Sequence, residues 1–214
     1  ITVQGLVDFN VACPVTTDPK EIHSADFLVI AVKTYDMVDT LASLRHIDVE
    51  TVLSLQNGVL KDEQLAEVYG AKKVIGTAAS FSGEVLPNGP VLFTFNLCVY
   101  LGEFPHGISK RVEQLVQTLV FSGINSSATA NICGIEWSKF VNWTGAMALS
   151  VLTQMKTHQF FLDPDTAQIG VQIMRETASL ATRQGIQLED KPFMVKTIAS
   201  ASESTAVETL HQLG

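Results

Sequence analysis

The chain has 214 residues, of which 46% are hydrophobic, and carries a formal net charge of -8 at pH 7. This length and composition allow a full hydrophobic core, in one large domain or in two small ones. Its 14 Lys and Arg residues are scattered among 22 Asp and Glu residues. A nucleic-acid surface needs clustered positive charge, so nucleic acid is not expected as a partner.

Membrane association and metal binding are not expected either. The longest strictly apolar run, Phe27 to Val32, is far too short to cross a bilayer, and no secretory signal pattern opens the chain. Cys13, Cys98 and Cys133 are odd in number and widely spaced, which matches neither a disulfide framework nor a zinc site. The histidines share no metal-ligand spacing with Asp, Glu or Cys. This cysteine usage suits the reducing cytoplasm, and a cytoplasmic protein is expected.

The first half of the chain alternates apolar runs with helical patterns. The apolar runs are FLVIAV, TVLSL and KVIGTAAS, and the helical patterns between them are YDMVDTLASLRHI and LKDEQLAEVYG. Parallel strands buried on both faces produce unbroken apolar runs, with helical crossovers between them. The pattern therefore predicts an α/β fold with a mostly parallel sheet.

The sheet is predicted to continue through antiparallel or edge strands after this region. Asn88-Gly89 forms a turn signal between two β-rich segments. The helical pattern ISKRVEQLVQTLVFSG follows and stops at Gly123.

From about Asn131 onward the chain shows helical periodicity and little strand signal. Asp163-Pro164 and Lys191-Pro192 each predict the start of a helix, since proline fits the first helical turn. We therefore predict two domains, an α/β domain over residues 1–130 and an all-α domain over residues 131–214.

Two candidate ligand-binding positions follow neighbouring strands. Lys33 follows the FLVIAV strand, and Gln56-Asn57-Gly58 follows the next one. The carboxyl ends of parallel strands form the edge where such sheets bind ligands, and a lysine there can pair with an anionic group. The alternatives are a lysine that ends a strand in solvent and an ordinary Asn-Gly turn.

A third candidate is Lys139, which lies in mid-helix beside Trp137, Phe140 and Trp143. A lysine that is partly desolvated by such neighbours is a strong donor to a carbonyl oxygen that gains negative charge. Glu176, on the next predicted helix, could orient or neutralise it. The alternatives are a lysine that extends to the surface and a solvated helix-face carboxylate.

Five motifs in this order resemble the ketopantoate reductases, the 2-dehydropantoate 2-reductases, across nearly the whole chain. They are Val32-Lys33-Thr34-Tyr35, Gln56-Asn57-Gly58, Gly76-Thr77-Ala78-Ala79 with Gly83, Glu136-Trp137-Ser138-Lys139-Phe140, and Glu176 to Gly185.

The resemblance implies a Rossmann-type first domain and reduction of a 2-oxo acid by NADPH, with ketopantoate reduced to pantoate in pantothenate biosynthesis. It also implies a possible homodimer. Lys139 would be the general acid. The substrate-binding residues would be Asn57, Asn142 and Glu176, and the cofactor-binding residues Lys33, Asn57, Gly58 and Ser82.

The chain departs from the family pattern in three places. The sequence opens on ITVQG, which in the family comes just after the opening βαβ region with its G-x-G-x-x-G turn. Either the native protein has more at its N-terminus, or it would not hold NADPH in the usual way. At the other end the sequence stops at TLHQLG, near where the family has a Ser-Met helix and a T-E-I segment. The family often has Asn four and eight residues after the catalytic lysine, where this chain has Trp143 and Met147, while Asn142 follows Lys139 by three.

These departures leave three alternatives open. The substrate could be another 2-oxo acid, acted on by a related hydroxy-acid dehydrogenase. The chain could instead be a non-catalytic binding or dimerising module, or a helical scaffold with a purely structural α/β half.

Overall fold

The computed structural model describes residues 1–213, which form two compact units, Ile1–Ile132 and a second unit that begins at Cys133. Gly214, the last residue of the predicted second domain, lies outside the described residues. The predicted fold class, an α/β unit followed by a helical one, is confirmed.

The first unit contains seven strands and three α-helices. The strands are β1 (Thr2–Gly5), β2 (Phe9–Asn10), β3 (Ser24–Ile30), β4 (Asp48–Ser54), β5 (Ile75–Val85), β6 (Val91–Glu103) and β7 (Ser126–Ala128). The helices are α1 (Met37–Leu44), α2 (Lys61–Tyr69) and α3 (Lys110–Phe121).

Strands β3 and β4 pair in parallel, and one parallel bridge between Val52 and Val74 connects β4 to the residue before β5. The other strands follow the order β2-β1-β6-β5, and β7 also pairs with β6. Strands β5 and β6 are antiparallel along their whole length, and β1 and β7 run parallel to β6. The predicted turn at Asn88-Gly89 joins β5 to β6, with Gly89 at a φ of 100°.

One detail of the sheet prediction is wrong. The run from Phe27 to Val32 was interpreted as a strand buried on both faces, but Phe27 and Val29 are each 48% exposed. Leu28 and Ile30, on the other face, pack into the cluster of α1 and α2. Successive strand residues point to opposite faces, and within residues 1–213 only one face of β3 joins a core cluster.

The second unit is helical. Its helices are α4 (Ile132–Thr153), which starts at the last residue of the first unit, α5 (Thr157–Leu162), α6 (Pro164–Arg183), α7 (Val195–Ser200) and α8 (Glu203–His211). Buried side chains from all five form one core, including Val141, Leu149, Phe160, Met174, Ile198 and Leu210. In residues 1–213, no helix has the length and apolar character that a membrane crossing requires.

One of the two predicted helix starts is confirmed. Pro164 occupies the first turn of α6, and the Asp163 carboxylate accepts a hydrogen bond from the Thr166 N–H at 2.9 Å.

The start predicted at Pro192 is wrong, because α7 begins at Val195 after Met194, whose φ is 53°. The Asp190 carboxylate accepts hydrogen bonds from the N–H and hydroxyl of Thr197, and this closes a turn ahead of the helix. The predicted helical stretch also breaks after Ser200, where Ser202 caps the start of α8.

Arg111, in the first turn of α3, ties three parts of the first unit together. Its guanidinium donates to both carboxylate oxygens of Glu103, with Nε 2.8 Å from Oε1, and to the carbonyl oxygen of Lys72. The Ser109 hydroxyl also donates to Glu103. The hydrogen bonds from Arg111 are the main cause that holds the pKa of Glu103 below its usual range, against the opposing effect of burial.

We therefore expect Glu103→Gln to lower the free energy of unfolding by about 1–3 kcal/mol at pH 7, because Arg111 would lose a charged partner. A carboxyl group whose pKa is lower in the folded state than in the unfolded state stabilises the fold at a pH above its unfolded pKa. That stabilisation is lost as the pH falls through the folded pKa. The deficit of the variant should therefore shrink in acid. Urea unfolding at several pH values measures this deficit in the free energy of unfolding. Glu84→Gln, at an exposed strand position, is the control. An equal deficit at every pH would contradict this account.

Candidate functional site

The carboxyl ends of β3 and β4 lie at one edge of their sheet. The parallel register pairs Ile30 with Ser54, and the N–H of Leu55 donates to the carbonyl oxygen of Ile30 at 2.9 Å. Lys33 follows the end of β3 by three residues, and Asn57 follows the end of β4 by three. Both positions are exposed. The structure thus places these two predicted residues on neighbouring loops.

Gly58 shows how close the two loops are. A Cβ atom added to Gly58 would lie 3.8 Å from the Cγ2 atom of Thr34, the residue after Lys33. The φ of Gly58 is +107°, in a region that side-chain-bearing residues rarely adopt. Glycine at this position lets the Asn57 loop turn sharply beside the Lys33 loop, with its backbone open to a ligand.

Ser82, the fourth predicted cofactor-binding residue, is not brought to these loops. The Thr77 hydroxyl donates to the carbonyl oxygen of Ser54, which places Thr77 level with the end of β4. Ser82 lies five residues farther along β5, or roughly 17 Å at the usual rise of a strand. It is exposed there, next to an irregularity in the pairing with β6.

Several buried polar groups near the strand ends were missed by the sequence analysis. The Gln56 amide donates to the sulfur of Met37, and its Oε1 atom has no hydrogen-bond partner in the described part of the chain. Lys61 and Asp62, at the start of α2, are buried and joined at 2.9 Å. Adjacent charges in a first helical turn normally indicate a solvated surface, so no local pattern indicates this burial.

The Gly76 motif has a packing explanation. A Cβ atom on Gly76 would lie 2.6 Å from Oδ2 of Asp62 and 2.9 Å from the side chain of Ile132. Only glycine allows β5 to approach the buried Lys61–Asp62 pair this closely. The motif residue therefore serves a steric role in the first unit.

In the second unit, α4 carries the candidate general acid. Lys139 is half-buried, between the buried residues Glu136, Ser138 and Val141 along the helix. The rings of Trp137 and Phe140 meet edge to face, with centroids 5.8 Å apart. The neighbours of Lys139 along α4 thus include both aromatic rings and the buried polar residues Glu136 and Ser138.

Asn142 and Lys139, three residues apart, lie on neighbouring sides of α4. Three residues correspond to about 300° of helical rotation, so Asn142 points about 60° away. It is only 7% exposed and lies on the packed face with Ser138 and Gly145. Its Oδ1 atom has no hydrogen-bond partner within residues 1–213.

Glu176 is not brought to Lys139. Helices α4 and α6 run antiparallel, because the Thr144 hydroxyl meets that of Thr177 at 3.1 Å while Gly145 and Leu149 approach Gly170. Glu176, beside Thr177, is therefore level with Thr144, about 7.5 Å along the helix axis from Lys139. Its exposed carboxylate forms no salt bridge among the described residues, so a role for Glu176 stays a prediction.

Other kinds of site find no support in the part of the chain that the structure describes. Residues 1–213 contain no group of three His, Cys, Asp or Glu side chains that could hold a metal ion. The three cysteines form no disulfide.

Comparison with known proteins assigns the family. The model described as ketopantoate reductase PanE/ApbA matches residues 1–106, and the model of the C-terminal part of the same reductase matches residues 131–211. The 2-dehydropantoate 2-reductase of Pyrococcus abyssi is 25% identical over 193 residues, which are 90% of this chain. The chain spans 63% of the length of that relative.

Two solved structures show the same fold. The 2-dehydropantoate 2-reductase of Geobacter metallireducens superposes with a TM-score of 0.82 at 23% identity, over 100% of this chain and 70% of its own. A D-mandelate dehydrogenase in complex with NADH and anilino(oxo)acetate superposes with a TM-score of 0.77 at 16% identity, over 96% of this chain and 66% of its own. Since both parts of one family's model match and together cover most of the chain, this chain belongs to the ketopantoate reductase family.

Proposed function

We propose that the protein containing this chain reduces a 2-oxo acid to the 2-hydroxy acid with NADPH in the cytoplasm, and that ketopantoate is the leading candidate substrate. The observation that carries the proposal is the match of both units to the two parts of one reductase family model. On this proposal, the product is pantoate and the reaction belongs to pantothenate biosynthesis.

The first unit is proposed to bind the cofactor. The loops after β3 and β4 present Lys33, Asn57 and the backbone at Gly58 on one edge of the sheet. This arrangement fits part of a dinucleotide, because an ammonium group pairs with phosphate, and an amide both donates to and accepts from a ribose hydroxyl. The cofactor supplies hydride when bound.

Lys139 is proposed to supply the proton. Hydride adds to C2 of the 2-oxo acid, the C=O π electrons move to oxygen, and that oxygen takes a proton from the Lys139 ammonium group. The products are the 2-hydroxy acid, NADP⁺ and a neutral amine, which regains a proton from solvent. Partial burial of Lys139 makes its ammonium group a stronger donor to the developing alkoxide than an exposed lysine would be.

A related hydroxy-acid dehydrogenase is the second candidate. Trp143 and Met147 occupy the positions where the family often has Asn, and these residues suit a substrate that lacks the hydroxyl group of ketopantoate. The fold match to a D-mandelate dehydrogenase in complex with NADH agrees with this alternative.

Lys139→Ala tests the proposed chemistry. We expect turnover with NADPH and a 2-oxo acid to fall about 100-fold or more, because a positioned acid is lost, while the dissociation constant for NADPH changes little. Steady-state kinetics and calorimetric titration of the intact protein measure the two quantities. Lys196→Ala, at an exposed lysine of α7, is the matched control. An unchanged rate in Lys139→Ala would remove this residue from the reaction.

Lys33→Ala and Asn57→Ala test the proposed cofactor edge. Each should raise the dissociation constant for NADPH about 10-fold, the usual effect of losing one hydrogen bond to a charged group. Lys110→Ala, at an exposed lysine at the start of α3, controls for the loss of one positive charge. Normal affinity in both loop variants would place the cofactor elsewhere, and no NADPH binding by the unaltered protein would favour the non-catalytic binding module.

Gly58→Ala tests the backbone geometry of the same edge. The φ of +107° is strained for alanine, so we expect a loss of about 1–3 kcal/mol in the free energy of unfolding and weaker NADPH binding. Gly89→Ala is the matched control, since Gly89 has a φ of +100° in the distant β5–β6 turn. It should lose similar stability and keep normal affinity. Equal affinities in the two variants would argue against ligand contact at Gly58.

A further inference from the structure

One face of α4 carries large apolar side chains that are exposed, starting one turn after Lys139. Residues spaced by four are offset by about 40° around a helix, so Trp143, Met147 and Val151 lie about 40°, 80° and 120° around α4 from Lys139. These three are 41%, 46% and 70% exposed. We call Lys139, Trp143 and Met147, which lie within about 80° of one another, the α4 stripe.

The stripe contrasts with the packed face of the same helix. There Ile135, Val141 and Leu149 are almost completely buried, so α4 has enough apolar residues to hold it in the core without the stripe. A tryptophan buries some 150–250 Å² when fully covered, so the exposed part of Trp143 is about 100 Å² of surface. Leaving that surface in water gives the fold nothing, whereas covering it would stabilise a bound ligand.

Trp143 and Met147 provide apolar surface next to the Lys139 ammonium group, where a ligand could be held. Long helical side chains lean toward the helix N-terminus, so the indole of Trp143 covers the turn that contains Lys139, and Met147 covers the turn of Trp143. A molecule whose carbonyl oxygen meets Lys139 would therefore have apolar surface as its nearest neighbour on the C-terminal side.

We propose that Trp143 and Met147 bind the side chain of the 2-oxo acid, and that the enzyme prefers substrates whose side chain is apolar. This inference rests on the proposed reduction of a 2-oxo acid, and it favours the second candidate substrate class over ketopantoate. Beyond the Lys139 ammonium group, Trp143 and Met147 offer one N–H, on the indole, and a weakly accepting thioether. Asn142, the nearby amide, lies on the packed face of α4.

This chemistry predicts a specific pattern of discrimination. A site built to hydrogen-bond a substrate hydroxyl rejects the analogue without it by about 10⁴–10⁵-fold, because its polar groups lose their partner. An apolar site has no such group to leave unpaired. It should accept the analogue at least as well as the hydroxylated compound.

Ketopantoate and 3,3-dimethyl-2-oxobutanoate are a matched pair for the test, because they differ only in the 4-hydroxyl group. We expect kcat/KM of the intact enzyme with NADPH to be about 10-fold higher for the compound without the hydroxyl. A preference for ketopantoate of about 100-fold or more would overturn the inference and leave the proposed function standing. Failure to reduce these two acids or phenylglyoxylate would instead remove the proposed function.

Substitutions show whether the α4 stripe sets this preference. Trp143→Asn and Met147→Asn should each shift the ratio of kcat/KM values at least 10-fold toward ketopantoate, mainly by raising KM for the compound without the hydroxyl. Trp143→Phe, which keeps an apolar ring, should shift it little. Leu152→Asn is the control, since Leu152 is 74% exposed on another side of α4. The same ratio in all four variants and in the unaltered enzyme would overturn the role of the stripe.

Discussion

The close contact between α4 and α6 fixes how α4 is oriented in the second unit. Gly145 lies against Met174 and Gly170 so closely that a Cβ atom would come within 2.8 Å of the Met174 side chain. Because a helix is rigid, this contact decides which residues of α4 point into the core and which do not. Asn142 therefore points inward, and Lys139 with Trp143 and Met147 lies on a more open side.

The first unit relies on a comparable constraint, the parallel register of β3 and β4. Because Ile30 pairs with Ser54, both strands end at one level. A candidate ligand-binding residue follows the end of each strand by three residues. Gly58 and Gly76 each occupy a position where the backbone conformation or a neighbouring atom leaves little room for a Cβ atom.

The sequence predicted what depends on local pattern and missed what depends on long-range packing. Strong local signals predicted β3 to β6, α1 to α4, α6, the Asn88-Gly89 turn and the Pro164 helix start. The short strands β1, β2 and β7 and the short helix α5 were not predicted. The break at Met194 depends on a hydrogen bond from Thr197 to Asp190, seven residues away, and no local pattern indicates it. The burial of Lys61 and Asp62 likewise depends on β5 approaching them at Gly76.

The same division applies to the candidate site. Lys33 and Asn57 were expected to lie near each other, because parallel strands share a carboxyl edge, and the adjacent loops agree with that expectation. Ser82 was assigned by resemblance alone, and it lies about five strand residues beyond the level where β4 ends. Glu176 was proposed to orient Lys139, but it lies about 7.5 Å from Lys139 along the helix axis. Motif order specifies which element a residue belongs to, whereas the direction of its side chain depends on packing that motifs do not record.

The two tryptophans of the chain differ in a way that has a practical consequence. Trp137 is 8% exposed and contacts Phe140, while Trp143, six residues later on the same helix, is 41% exposed. Their indole emission should therefore differ in wavelength and in access to a soluble quencher such as iodide. Fluorescence of Trp143 should therefore report ligand binding next to Lys139. The shielded Trp137 provides an internal reference for that signal.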